Sequence, residues 1–389
     1  MMRGPTLGQP IRLTDQHTLH ATMTVLQHHI PLTAAGYRCQ TADLWRILLG
    51  AAARHSTIEA VCADLLAAPH ANTVRGHLSR QLLPQPIPDL ERQWNDALAT
   101  ITPAWLRARP QEVAVDFHDE PYYGRCDPAD PDNWVCRGEA HAGTTYFYRC
   151  ATAYVIQRDV RLTLAVVFVK PGVDTVTLLD RLLTRVRAAG VRIRCLYADK
   201  GFCTTPVLRW LQAQQLPAII TVPLRGKQGG TRALCQGHAS YRTTHTFRSA
   251  AHGELTVPVA VVRTFKRRRT GQRTGTWLVY ICLKVADPPQ RIRRRYRRRF
   301  GVESSYRLLE QVRARTTSPT AALRFLLMGL ALLIVNIWIS LHWRFLQVPG
   351  RGPRRVARWR LRLDRVARFL TRAIERYYGV VTAVDPLPT

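Results

Sequence analysis

The rhythm of apolar and polar positions changes twice along the chain. Residues 1–108 carry helical spacing, and Pro84, Pro86 and Pro88 separate one section from the next. Ser56-Thr-Ile-Glu59 has capping-box spacing and predicts a helix running to Leu66. Asn72 predicts a second N-cap, opening a helix over Thr73–Leu83 that carries Arg75, His77 and Arg80. Two short helices around a tight turn, the second basic, match a helix-turn-helix with Arg75 and Arg80 as DNA contacts. A plain helical hairpin has the same periodicity.

From residue 111 short apolar runs alternate with amphipathic segments. Glu112–Phe117, Tyr146–Gln157 and Arg161–Lys170 read as strands. Helix Thr175–Ala189, strand Val191–Ala198, helix Thr205–Gln215 and strand Pro217–Pro223 follow. Three strands, then helix, strand, helix, strand, is the order of an α/β RNase H-like mixed sheet with helices on both faces. Over 226–290 the alternation stops, and Leu255–Phe265 with Thr276–Val285 predicts a β-hairpin tipped by KRRRTGQRTG. The expected organisation is therefore a helical region 1–108, a first catalytic part 109–225 and a β-strand insertion 226–290. A closing catalytic part 291–345 and a basic helical region 346–389 complete it.

Phe325–Leu341 is an uncharged apolar run of the length at which a membrane span and a buried core helix read alike. Asn336 and Ser340 within it, and the α/β pattern before it, favour the buried helix, so no membrane partner is expected.

Charge narrows the function. The chain has 57 Lys and Arg against 26 Asp and Glu, a formal charge of +31. A folded chain so basic needs a polyanionic partner, and nucleic acid fits best. All but five of the basic residues are Arg, whose planar fork suits phosphate. Arg291–Arg299 holds seven Arg in nine residues, and Arg354–Arg372 is a second dense stretch. A hydrophobic content of 46% excludes a disordered basic tail. The nine cysteines are scattered and the start lacks an apolar signal core, so a reducing cytoplasmic setting beside the nucleoid of a prokaryote is expected. No G-x-x-x-x-G-K loop supports ATP hydrolysis.

Cutting or joining phosphodiesters at neutral pH commonly uses two Mg²⁺ ions held by carboxylates, and acids are scarce enough here to be conspicuous. Asp116 ends the strand EVAVD. Asp199 ends RCLYAD before the turn Lys200-Gly201-Phe202, and Glu303 opens the helix after the Arg run. A lone strand-end Asp is most often a turn or helix cap. Three acids on a sheet order that can bring them together point instead to a metal site. Asp119 and Glu120 are rival first acids, placed past the strand beside Pro121.

Tyr296-x-x-Arg299-x-x-x-Glu303 resembles the signature around the third acid of insertion-sequence DDE transposases. YADKGF resembles their second-Asp motif, VDFHDEPYYG the first, and the β insertion between second Asp and Glu fits as well. In the large branch related to the bacterial cut-and-paste transposons a Lys stands seven residues beyond the Glu. Here that position is Glu310, and Arg307 stands four residues after Glu303, similar to the branch best known from haloarchaea. The resemblance covers residues 111–345. It implies Asp116, Asp199 and Glu303 as catalytic metal ligands for two Mg²⁺, with Mn²⁺ able to substitute. It implies Tyr296, Arg299 and Arg307 on the terminal phosphates, and double-stranded DNA, both transposon ends and target, as partner of a homodimer or higher assembly.

Other signals are weaker. Trp277 in the insertion could stack on an unpaired base or simply pack on its sheet. Cys235-x-x-His238 with His245 and His252, and Cys126-x₉-Cys136 near His141, match no common zinc spacing. His118 is either a neighbour supporting the first acid or a surface residue. Three functions remain: a transposase that cuts and joins, an RNase H-like nuclease that only cuts, and a non-catalytic DNA-binding derivative.

Overall fold

The computed structural model describes residues 12–157, 160–226, 230–267, 273–348 and 355–383. Helices α1 (Asp15–His29), α2 (Thr41–Ala53), α3 (Ile58–Asp64), α4 (Ala71–Leu82), α5 (Ile87–Thr100) and α6 (Ala104–Ala108) come first. Strands β1 (Gln111–Pro121), β2 (Val135–His141), β3 (Thr144–Val155) and β4 (Thr163–Phe168) follow. Then come α7 (Thr175–Ala188), β5 (Ile193–Ala198), α8 (Thr205–Ala213) and β6 (Ala218–Val222). The insertion contributes β7 (Tyr241–Ser249), β8 (Gly253–Arg267) and β9 (Arg273–Leu283). The chain closes with α9 (Pro289–Tyr296), α10 (Gly301–Gln311), α11 (Ala321–Phe345) and α12 (Leu363–Tyr378). These elements form two compact units, one of residues 1–101 with 307–389 and one of residues 102–306.

The first unit is helical. Its centre is α11, the apolar run, whose residues are almost all buried. That helix is long and apolar enough to cross a membrane, yet here it packs against α1, α2, α4, α5 and α12. Gly329 lets α11 approach the Trp94 indole of α5 so closely that any Cβ would overlap the ring. The Trp338 and His342 ring nitrogens meet the Leu361 carbonyl at 2.7 and 2.6 Å, pairing polar groups that would otherwise be buried alone. The predicted caps move by one or two residues. Thr57, not Ser56, accepts from the Ala60 amide, and His70, not Asn72, caps α4.

The second unit is built on a mixed sheet. Its order β4-β3-β1-β5-β6 has β3 antiparallel to β4 and β1, and β1, β5 and β6 mutually parallel, which is the RNase H-like arrangement. The insertion extends this sheet, because β9 pairs antiparallel with β6 and β8 and β7 continue outward. Its basic tip, 268–272, lies outside the described residues. One sheet face carries a continuous core from Ala114 and Tyr154 through Tyr197 and Ile219 to Val262 and Tyr280, closed by Ile292 and Tyr296 of α9.

Three features differ from expectation. Strand β1 runs on through His118-Asp119-Glu120, which reads as loop because it is charged. Across the ladder Asp119 is the register partner of Arg149, and their bidentate pair at 2.6 and 2.8 Å supports the extension. Strand β2 is short and interrupted by Gly138, and β7 is rich in Thr and Arg, so neither shows the apolar alternation of a half-buried strand.

Candidate active site

The first two acids converge because of strand register. Ala114 pairs with Tyr197 across the parallel β1–β5 ladder. Two residues further on, Asp116 and Asp199 therefore stand at one level and on one face, on strands that pack roughly 5 Å apart. Asp199 also caps the turn after β5 by accepting from the Gly201 amide at 2.9 Å. Both carboxylates are partly exposed, as a site open to substrate requires.

The segment after the insertion closes over them. Tyr296 is buried, stacks obliquely on Tyr197 and Tyr280, and donates its hydroxyl to the Ala198 carbonyl at 3.1 Å. It is turned into the core and anchors the end of α9 beside Asp199. Three residues on, Arg299 places Nη2 2.9 Å from Asp116 Oδ1. Burial is the largest influence and works against the Arg299 charge, but Asp116 together with Tyr296, Tyr154 and Asp199 holds the guanidinium above its ordinary value. Arg299 Nε is buried with no hydrogen-bond partner among the described residues. So is the hydroxyl of Tyr154, whose ionisation burial and then the Asp116 charge push well upward.

Helix α10 is docked onto the same face through Tyr306. Its hydroxyl lies 2.7 Å from Thr152 Oγ1, and Thr152 is the register partner of Asp116. The ring of His118 stacks on Tyr306 at 4.7 Å, so His118 acts as packing support for the helix. Glu303 stands three residues before Tyr306 in α10, and its side chain lies outside the described residues. Arg307, next after Tyr306, is exposed.

The remaining sequence candidates are placed as follows. Trp277 faces its register partner Arg263, whose guanidinium sits 5.7 Å from the ring centroid. Arg75 is engaged within the helical unit by Glu59, at 2.6 Å, and by Asn72. Arg80 bonds back to the Gly76 carbonyl. His238 meets Arg263 Nη1, and His245 packs edge-on against Phe247. Among the described residues, which leave out the Glu303 side chain, no three His, Cys, Asp or Glu side chains converge on one point.

Glu112, Tyr154, Thr152 and Tyr306 were not singled out by sequence. The available signal was period two: Glu112, Ala114, Asp116 and His118 alternate onto one face of β1.

The family profile described as "Transposase DDE domain" matches residues 125–337, more than half of the chain. The chain belongs to this family. The match includes Asp199 and Glu303 and begins after Asp116. Among solved structures the chain is similar to piggyBac transposase in a synaptic complex with hairpin DNA. The two share a fold at a TM-score of 0.53 and 12% identity, over 94% of this chain and 77% of that one. No curated protein matches. The sheet order agrees with this shared fold.

Proposed function

We propose that the chain cuts DNA at transposon ends and joins the freed 3′-hydroxyl to target DNA, using Asp116, Asp199 and Glu303 around two Mg²⁺ ions, which Mn²⁺ can replace. The observation that carries this reading is the level placement of Asp116 and Asp199 with Arg299 closed onto Asp116. The residues fit divalent metal. Asp116 and Asp199 offer two hard carboxylates from adjacent strands, and Glu303, one helical turn before the docked Tyr306, would supply the third. When bound, the ions would favour water's deprotonation and neutralise charge on the phosphate in transit.

The chain's own groups orient the reaction. In the first step water attacks phosphorus and the 3′-oxygen leaves as a hydroxyl. In the second that hydroxyl attacks a target phosphodiester, releasing a target 3′-hydroxyl, so one new ester replaces one broken. Arg299 and Arg307 hold the terminal phosphates, with Arg299 exchanging Asp116 for phosphate as DNA enters. Tyr296 and Tyr306 fix α9 and α10 against the sheet. Trp277, Arg75 and Arg80 supply further DNA contacts. Two ends must be joined in concert, so the active assembly is at least a dimer on DNA. The synaptic complex of the structural neighbour supports that. The Arg307 spacing favours the branch best known from haloarchaea.

A labelled pre-cut end incubated with plasmid and Mg²⁺ tests the reading. Joined product supports it. Cleavage of uncut ends without joining makes the chain a nuclease, and retention on DNA with neither makes it a non-catalytic binder.

A further inference from the structure

A second feature lies on the same sheet face as Asp116, at the other end of β1. Glu112 precedes Asp116 by four residues, which places it on the same face roughly 13 Å away along the strand. Its side chain is only 8% accessible and is held by four groups. Tyr197 donates to it at 3.0 Å, Arg194 and Arg295 reach it at 3.2 and 3.1 Å, and Arg298 bonds its other oxygen at 3.1 Å. Asp287 in turn pairs with Arg291 and Arg295.

A cleft of about 900 Å³ opens beside this network. Arg194, Lys284, Arg291, Arg294, Arg295 and Arg298 line it, against only Glu112 and Asp287. A buried carboxylate is costly to keep unless well paired, and here its partners are fixed guanidiniums. Arg295 is engaged at all three nitrogens, by Tyr197, Asp287 and Glu112, whereas Arg194, Arg291 and Arg298 each meet a carboxylate through one nitrogen. The side chains of Arg194, Arg291 and Arg298 are more than half exposed while so anchored. An ordinary solvated charge run has mobile heads; these are held on one wall. The lining includes no Asn or Gln to read an adenine edge and no aromatic ring to stack a base.

The geometry points to this cleft as a binding site for the phosphate backbone of duplex DNA, independent of sequence. The proposal rests on the reading of the chain as a DNA-acting transposase. Residues 295 to 299 then serve two tracks from one turn: Arg295 and Arg298 point to the cleft, and Arg299 points to the acids.

Replacing Arg194, Arg291 and Arg294 together by Gln tests it, with binding to an unrelated duplex followed across salt concentrations. With about 0.9 of slope per phosphate contact, the slope of log K against log salt should become shallower by roughly 2–3. Arg181, Arg185 and Arg187 of α7, replaced together by Gln, give a control with the same loss of charge and an expected unchanged slope. Equal slopes in wild type and cleft variant, or an equal loss in the control, overturn the proposal. If the cleft variant fails to fold, hydrogen exchange on the wild-type chain decides. Protection over 284–298 by an unrelated duplex supports it, and protection by terminal-repeat DNA alone overturns it. A shallower slope in the cleft variant, together with a wild-type chain that neither cuts nor joins, keeps the cleft and loses the transposition chemistry. The reverse result loses only the cleft.

Discussion

Arg299 Nη2 and Asp116 Oδ1 are 2.9 Å apart, so the arginine three residues after α9 rests on the carboxylate of β1. The pair is largely enclosed, with 11% and 17% of the two side chains accessible. Each charge therefore depends on the other until substrate arrives. A double-mutant cycle of Arg299→Gln and Asp116→Asn, read by urea unfolding, should give a coupling of about 1–3 kcal/mol. Additive effects would mean the contact contributes nothing to the folded state.

The acids should separate from their neighbours by function. Asp116→Asn, Asp199→Asn and Glu303→Gln are expected to abolish cleavage and joining while retaining DNA binding, because each removes charge needed to hold metal. Asp119→Asn breaks the ion pair with Arg149 instead, and should lower the unfolding midpoint while leaving activity measurable. An active Asp116→Asn chain with a dead Asp119→Asn chain would reassign the first acid.

The buried tyrosines of the sheet domain predict alkaline instability. Burial raises the pKa of Tyr154, Tyr296 and Tyr306 above the ordinary 10.0, with the Asp116 charge adding to the effect. A group raised on folding contributes stability that is complete below its unfolded value and is lost as pH climbs through the folded one. Stability should thus hold up to about pH 10 and fall above it. Tyrosinate absorbance followed with circular dichroism checks this: ionisation of these rings should coincide with unfolding, not precede it.

Binding to DNA should be steeply salt-dependent. Exposed arginines from Arg358 to Arg372 on and before α12, together with Arg291–Arg299, offer many phosphate contacts. A slope of log K against log salt shallower than about −3 would contradict backbone tracking by these segments.

Gly329→Ala tests the packing of α11. The new methyl would collide with the Trp94 indole, an overpacking that typically costs about 1–3 kcal/mol. Thermal unfolding should show the loss, and Trp94→Phe in the same chain should recover part of it.

Sequence by itself determined much of this protein. Period-two and period-3.6 spacing marked β1, α7, β5, α8 and β6 to within a few residues, because each buries a continuous apolar face that its own residues encode. The charge of +31 called for a polyanion, and the acid positions 116, 199 and 303 stood out against it. What sequence left undecided depends on partners distant along the chain. The charged end of β1 becomes strand only because Arg149 stands opposite Asp119, and β7 only because β8 supplies its hydrogen bonds. Tyr296 reads as a DNA contact until the Ala198 carbonyl and the Tyr280 ring enclose it. Glu112 reads as the polar start of a strand, and only α9, arriving some 180 residues later, turns it into the anchor of an arginine cleft. Local propensity is written in neighbouring residues, whereas burial and ion pairing are set by whichever residues the tertiary fold brings together.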